Sequence, residues 1–338
     1  MRLPVRPSVD ALPARTLGLR RAFAAGVLAC LGGAVPAFAQ GAIDPNVAPR
    51  AAALEREGER HMAIDLLGRY LATAPDDGRA WLQLGRFYLY DARDWHVQGH
   101  RGEPDGPLYL DFAATALEQS IRLSVDSGVI FRGIAEVERS LVVVEEQGWT
   151  AARASAGRER APQMPAFVLE LGENLLASCP AGGVLLTGNE LEALSVWYGS
   201  MQRPSLDVLP IRPDLYATDS LYRHRMAQAM GVDPGLPVQR ALGDVAPRRP
   251  VCLSPGTDSA AVPALAWVPY RLVRVSRPAA PSPEAMSINE LMKAVRQNPS
   301  PWVVDVRGVY DRAATHNLLL CSSLLLLFGD TPPPACQP

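Results

Sequence analysis

The stretch Trp81-Leu82-Gln83-Leu84-Gly85-Arg86-Phe87-Tyr88 spaces a tryptophan, a leucine, a glycine and a tyrosine as one helix packing on another requires. Gly85 lets the neighbouring helix approach, and Tyr88 fills the groove beside it. Counting back in the same register, Pro75 falls where a preceding helix ends, with Ala63 on its small packing position and Leu67 on its large one. Helical hairpins stacked side by side follow, each burying the apolar face of the next.

The W-x2-L-G-x2-Y order resembles the opening of a tetratricopeptide (TPR) helix. The resemblance covers residues 45–162. It implies a surface that binds peptides or other proteins, on which Trp81, Tyr88, Trp95 and Tyr109 are the candidate partner-binding side chains. The hairpin that begins near Gly78 departs from the pattern. Its second helix is expected over residues 111–123, with Ala113 and Leu117 on the small and large positions, which leaves residues 95–110 as an inserted loop. That loop holds His96 and His100. The pair shares a face only in a helix, and the glycines and prolines around it (Gly99, Gly102, Gly106, Pro104, Pro107) favour a contact loop over a metal site. A further apolar helix is expected over residues 130–146.

From residue 165 to about 276 the pattern changes to short apolar runs alternating with helical stretches. Strands are expected at 184–187, 205–211, 251–253 and 265–275, the last interrupted by Pro269, with helices at 167–176, 191–201 and 219–231. The fold class is therefore α+β or α/β, with N-terminal helical hairpins, then a small parallel or mixed sheet flanked by helices. The turn after the first strand, Gly188-Asn189-Glu190, lacks G-x-G-x-x-G. No G-x-x-x-x-G-K-S/T exists either, so no cofactor is expected. Ligands of such sheets sit at the C-terminal ends of the strands, and there this chain carries Thr187, Asn189, Glu190, Glu192, Arg212 and Asp214. Glu190 and Glu192 fit a first helical turn, where the helix dipole favours acids, better than acid–base catalysis.

The residues Val184-Leu185-Leu186-Thr187-Gly188-Asn189-Glu190, Trp197-Tyr198, Arg203-Pro204, Asp207-Val208-Leu209, Leu221-Tyr222-Arg223 and Pro269-Tyr270-Arg271-Leu272 together resemble a soluble domain of bacterial membrane proteins related to protein O-mannosyltransferases. The resemblance covers residues 180–275. An acidic turn of that family is replaced here by Asn189-Glu190-Leu191-Glu192, so glycosyl transfer is not implied. A glycan-linked accessory role is, with Trp197, Tyr198 and Tyr222 as candidate stacking residues.

At the N-terminus, Arg2, Arg6, Arg15, Arg20 and Arg21 precede an apolar stretch that closes Ala37-Phe38-Ala39 before Gln40. A basic region, an apolar core and small residues at the boundary read as a secretory signal over residues 1–39. An alternative is a lipoprotein anchored at Cys30, and Arg20-Arg21 carries a faint twin-arginine pattern. A periplasmic or secreted protein is expected, with no transmembrane span after cleavage. Loss of residues 1–39 leaves 28 basic and 34 acidic residues, a net charge of −6, which argues against nucleic-acid partners. The arginines are scattered, and lysine occurs once, at Lys293.

Four cysteines remain: Cys179, Cys252, Cys321 and Cys336. Three connectivities are open. Nearness pairs Cys321 with Cys336, which leaves Cys179 for Cys252, and free buried thiols are the competing expectation. A C-terminal arm, 286–330, opens with the box Ser287-Ile288-Asn289-Glu290. A longer helix is expected from Pro301 toward Phe328, its apolar run 318–328 too short to span a bilayer and packed on the rest, or presented to a partner if exposed.

No G-x-S-x-G, S-x-x-K or H-E-x-x-H occurs. The leading expectation is a non-enzymatic interaction or assembly factor whose partner is another envelope protein or peptide. A ligand- or carbohydrate-linked accessory protein comes second, with links to glycan machinery. A glycan-active enzyme using Glu190 or Glu192 is the weakest.

Overall fold

The structure, a computed structural model, describes residues 44–97, 105–155, 163–202, 205–258, 262–277, 286–297, 300–329 and 332–337. The expected signal over residues 1–39, Cys30, Gln40 and His100 lie outside the described residues, as does the side chain of His96.

The helical half begins with α1 (Val47–Arg56), α2 (Arg60–Leu71), α3 (Gly78–Val97) and α4 (Asp105–Arg122). Ala63, Leu67, Ala113 and Leu117 are fully buried, as the repeat spacing requires. Gly85 is the close-approach point: a Cβ there would lie 2.6 Å from Cγ of Leu117. The corner before α3 is fixed by Asp77, whose carboxylate accepts the N–H of Arg79 and of Ala80 (3.0 Å each) and the hydroxyl of Tyr70. Helices reach into the expected loop from both sides. Helix α3 runs through Trp95 to Val97 and α4 starts at Asp105, so Trp95 and Tyr109 stand on helices.

Helix α5 (Asp126–Gln147) follows, then α6 (Trp149–Ser155) and α7 (Ala166–Ala177). Twelve residues of α5 are buried. A helix covered on so much of its surface must sit between layers rather than on one. One apolar core accordingly runs from Leu89 through α5 to Cys336, and a smaller one lies among α1, α2 and α3.

Beyond α7 come β1 (Val184–Leu186), α8 (Glu190–Gln202), β2 (Leu209–Ile211), α9 (Pro213–Thr218), α10 (Ser220–Met230), α11 (Val238–Val245), β3 (Val251–Leu253), β4 (Val268–Tyr270) and β5 (Val273–Val275). The sheet is mixed, in the order β2-β1-β3-β5-β4. β1 is parallel to both β2 and β3, while β3–β5 and β5–β4 are antiparallel. β1, β2 and β3 are buried at every position, as strands covered on both faces must be. Pro210 and Pro269 fall on the two edge strands, where a missing N–H costs nothing and blunts the edge. Pro269 therefore does not interrupt the last strand. The break comes at Arg271, whose φ of 50° turns β4 into β5. The helices α9 and α11 were not anticipated, being only six and eight residues long.

The C-terminal arm forms α12 (Asn289–Gln297), α13 (Pro301–His316), a 3-10 turn (Leu318–Leu320) and α14 (Cys321–Phe328). Two expectations change here. The box at Ser287 is not reciprocal, because the Ser287 N–H goes to Asn174 Oδ1 (3.3 Å). Glu170 of α7 caps α12 instead, accepting the N–H of Glu290 and of Leu291 and the hydroxyl of Ser287. The long helix also stops at Asn317, whose backbone leaves the helical region (φ −142°, ψ 82°) while its amide donates to the Arg271 carbonyl at 3.0 Å. Among the described residues, no helix is long and apolar enough to cross a membrane.

Cys179 is bonded to Cys252 and Cys321 to Cys336, across 73 and 15 residues. Loop-closure entropy sets what each contributes. Replacing Cys179 and Cys252 by serine is expected to cost about 4 kcal/mol, and replacing Cys321 and Cys336 about 3 kcal/mol. Urea denaturation of the two double variants measures both.

Candidate functional site

Two surfaces gather the residues singled out by sequence. On the helical hairpin, Trp81, Tyr88 and Trp95 recur every seven residues along α3, so they share one stripe facing α4. Tyr88 meets Phe112 of α4 with ring centroids 5.3 Å apart, and Trp95 meets Tyr109 edge-on at 6.1 Å. Trp81 is anchored apart from these pairs, its indole N–H donating to the Pro75 carbonyl at 2.8 Å. Phe112, Leu108 and Met62 are exposed apolar side chains that the sequence reading missed. Phe112 stands one turn beyond Leu108 on α4, and that i, i+4 apolar spacing was the available signal. Burial, then the charges of Asp91 and Asp65, push the Tyr88 hydroxyl pKa up. The strip is thus aromatic and largely half-buried.

The second surface is a cleft of about 300 Å³ at the C-terminal ends of β1, β2 and β3. Five of the six expected residues line it: Thr187, Asn189, Glu190, Arg212 and Asp214. Thr257 and Asp258, from the loop after β3, complete the wall. Because β1 sends its connection toward β2 while β3 lies on the other side of β1, the loops part here and leave a crevice. Asn189 caps α8, its side-chain oxygen accepting the Glu192 N–H at 2.9 Å.

Glu192 does not belong to the cleft. It is fully buried and holds two loops together. One oxygen accepts the N–H of Gly188 (3.0 Å) and the hydroxyl of Ser254 (2.5 Å), the other the N–H of Gly256 (2.9 Å). With both oxygens so engaged and no access to solvent, it is a structural carboxylate. Gly188 sits where the loops touch, since a Cβ there would lie 1.8 Å from the Gly256 carbonyl carbon. Trp197, Tyr198 and Tyr222 are likewise buried and cannot stack on a glycan. Trp197 packs edge-on against Trp149 (5.0 Å), and the Tyr222 hydroxyl accepts the Arg212 N–H (3.0 Å).

An ionic chain joins the two surfaces. Arg93 of α3 donates to Glu138 of α5 (2.8 Å) and to Glu190 of α8. Arg212 approaches the same Glu138 oxygen at 3.4 Å and donates to Asp214 at 2.7 Å. Burial alone would lower the Arg212 pKa, but Glu138 and Asp214 outweigh it and hold the guanidinium charged. Arg93 is raised for the same reasons, against its own burial, by Glu138 and Glu190. Burial would raise Asp214, yet the Arg212 hydrogen bond and charge hold it below the ordinary 3.8. Among the described residues no group of three or more His, Cys, Asp or Glu side chains could hold a metal ion.

A tetratricopeptide repeat family model matches residues 48–87, which are α1, α2 and the first half of α3. No curated protein and no solved structure matches the chain, and the resemblance of residues 180–275 to the mannosyltransferase-related domain finds no support in these comparisons.

Removing Glu138 strands two largely buried guanidinium groups, so Glu138→Ala is expected to cost about 3 kcal/mol at pH 7, read by urea denaturation. A depressed Asp214 pKa means its pair with Arg212 stabilises the fold above pH 3.8 and is lost as pH falls through the folded-state value. The Asp214→Asn variant should therefore differ from the parent at pH 7 and converge with it in acid. The difference is small, because the Asp214 side chain is 62% exposed.

Proposed function

We propose that this chain is an exported, non-enzymatic interaction or assembly factor of the cell envelope that binds a protein or peptide through its TPR-type hairpin. The observation that carries the reading is the aromatic strip of Tyr88, Phe112, Trp95 and Tyr109 on the hairpin of α3 and α4. A TPR repeat itself supports a protein-interaction role. Phe112 is exposed and Tyr88, Trp95 and Tyr109 are half-buried; aromatic side chains that are already paired lose little entropy on binding, which is how interface anchors work.

Export is supported by the arginine-rich start, the apolar stretch that follows and the Ala37-Phe38-Ala39 boundary. Two disulfides that use every cysteine after residue 39 suit an oxidising compartment. A second reading, a ligand- or carbohydrate-linked accessory protein, is favoured by the cleft alone, which brings Thr187, Asn189, Glu190, Arg212 and Asp214 to one wall.

Affinity purification from envelope extract separates the two. Tyr88→Ala with Phe112→Ala is expected to weaken partner recovery at least tenfold, the cost of losing an aromatic hot spot. Asn189→Ala with Arg212→Ala should leave recovery intact. If the cleft variant abolishes function in cells while recovery persists, the interaction reading fails and the cleft reading stands. N-terminal sequencing of the exported protein tests cleavage before Gln40.

A further inference from the structure

Helix α14 and the turn before it are built almost wholly of leucine, yet they divide into an inner and an outer stripe. Leu320, Leu324 and Phe328 are buried, the last against Tyr310 with ring centroids 5.9 Å apart. Leu318, Leu319 and Leu326 are 68%, 88% and 86% exposed, with Leu325 at 42%. Ser322 and Ser323 lie between them on the exposed side. The Cys321–Cys336 disulfide ties this helix to the end of the chain, so the outer leucines are held out rather than free to turn inward. Exposed leucines held on one side of a helix in this way mark an interaction surface.

The neighbourhood says what kind. Beside Leu327 lies a cleft of about 350 Å³ bordered by Asn289, Met292, Lys293, Arg296 and Gln297 of α12. Lys293 and Arg296 are exposed there. Glu290 stands 3.7 Å from Lys293, and Asp305, Asp311 and Asp330 are the other acids of the arm. The residues that border the cleft nonetheless carry two basic side chains and no acidic one, in a protein whose charge after residue 39 is −6. The leucine face is a convex helix, which offers nothing to enclose a peptide. A second copy packed face to face across a two-fold axis would bring the cationic border up to itself.

We propose that α14 docks on the surface of an anionic phospholipid bilayer. Leu318, Leu319, Leu325 and Leu326 enter the boundary between headgroups and acyl chains, and Lys293 and Arg296 meet the lipid phosphates. The helix is far too short to span, so the attachment is peripheral. No residue is shared with the strip on α3 and α4, so the two readings stand or fall separately.

Vesicle co-sedimentation of the purified chain tests it, using phosphatidylcholine vesicles with and without about one third phosphatidylglycerol. The Leu319→Ser, Leu326→Ser double variant keeps its melting temperature, because neither side chain is in the core, and is expected to lose at least tenfold in vesicle binding. Lys293→Glu with Arg296→Glu should reduce binding on anionic vesicles to the level on neutral ones. The N-terminal stretch is common to all variants, so the comparison isolates α14. Equal binding by the leucine variant overturns the proposal, as does a parent that stays in the supernatant. A dimer that the leucine variant dissociates, without vesicle binding, assigns the face to a second copy instead.

Discussion

Glu138 is the carboxylate on which the two halves of the molecule meet. It lies on α5, between the hairpin helices and the sheet, and takes a hydrogen bond from Arg93 on one side while Arg212 closes on the same oxygen from the other. Neither arginine could be drawn so far from water without it, because the desolvation of a guanidinium exceeds what its outer partner, Glu190 or Asp214, returns through solvent. The hairpin, the central helix and the strand ends are therefore positioned together. A side chain bound at the cleft through Glu190 or Arg212 competes with contacts that reach α3, the helix that carries Tyr88 and Trp95.

Burial of α5 makes that ionic chain necessary. A helix with twelve buried residues has to be roofed on both sides, and its roof on one side is the hairpin of α3 and α4 and on the other the helices flanking the sheet. The few polar groups caught in this packing are satisfied across long sequence distances. Glu192 gathers the loops after β1 and β3, and Glu170 caps a helix more than a hundred residues downstream. Each is a carboxylate accepting backbone N–H groups, the strongest use a buried acid has outside an ion pair.

Much of the fold was legible in local pattern. The small and large positions at Ala63, Leu67, Gly85, Ala113 and Leu117 pack as their spacing implies, because helix contact is a matter of periodicity that a sequence displays directly. The strand at 251–253 and the cap at Asn189 were equally local. The errors share a cause. Residues 95–97 and 105–110 looked like loop because glycine and proline propensities are weak beside the packing of Trp95 on Tyr109. Glu192, Trp197, Tyr198 and Tyr222 looked functional because a polar or aromatic residue announces its chemistry but not its burial.

What the sequence determined by itself is the set of units: a hairpin repeat, an alternating strand–helix segment and a capped arm. These depend on spacings of three, four and seven residues, which one chain carries in plain order. The tertiary structure alone decided which acids serve as scaffold and which face the cleft, and which leucines of residues 318–328 remain exposed. The leucine spacing does not by itself say which leucines face outward. The outer face is set by where Asn317 ends the preceding helix and where the Cys321–Cys336 bond holds the next one.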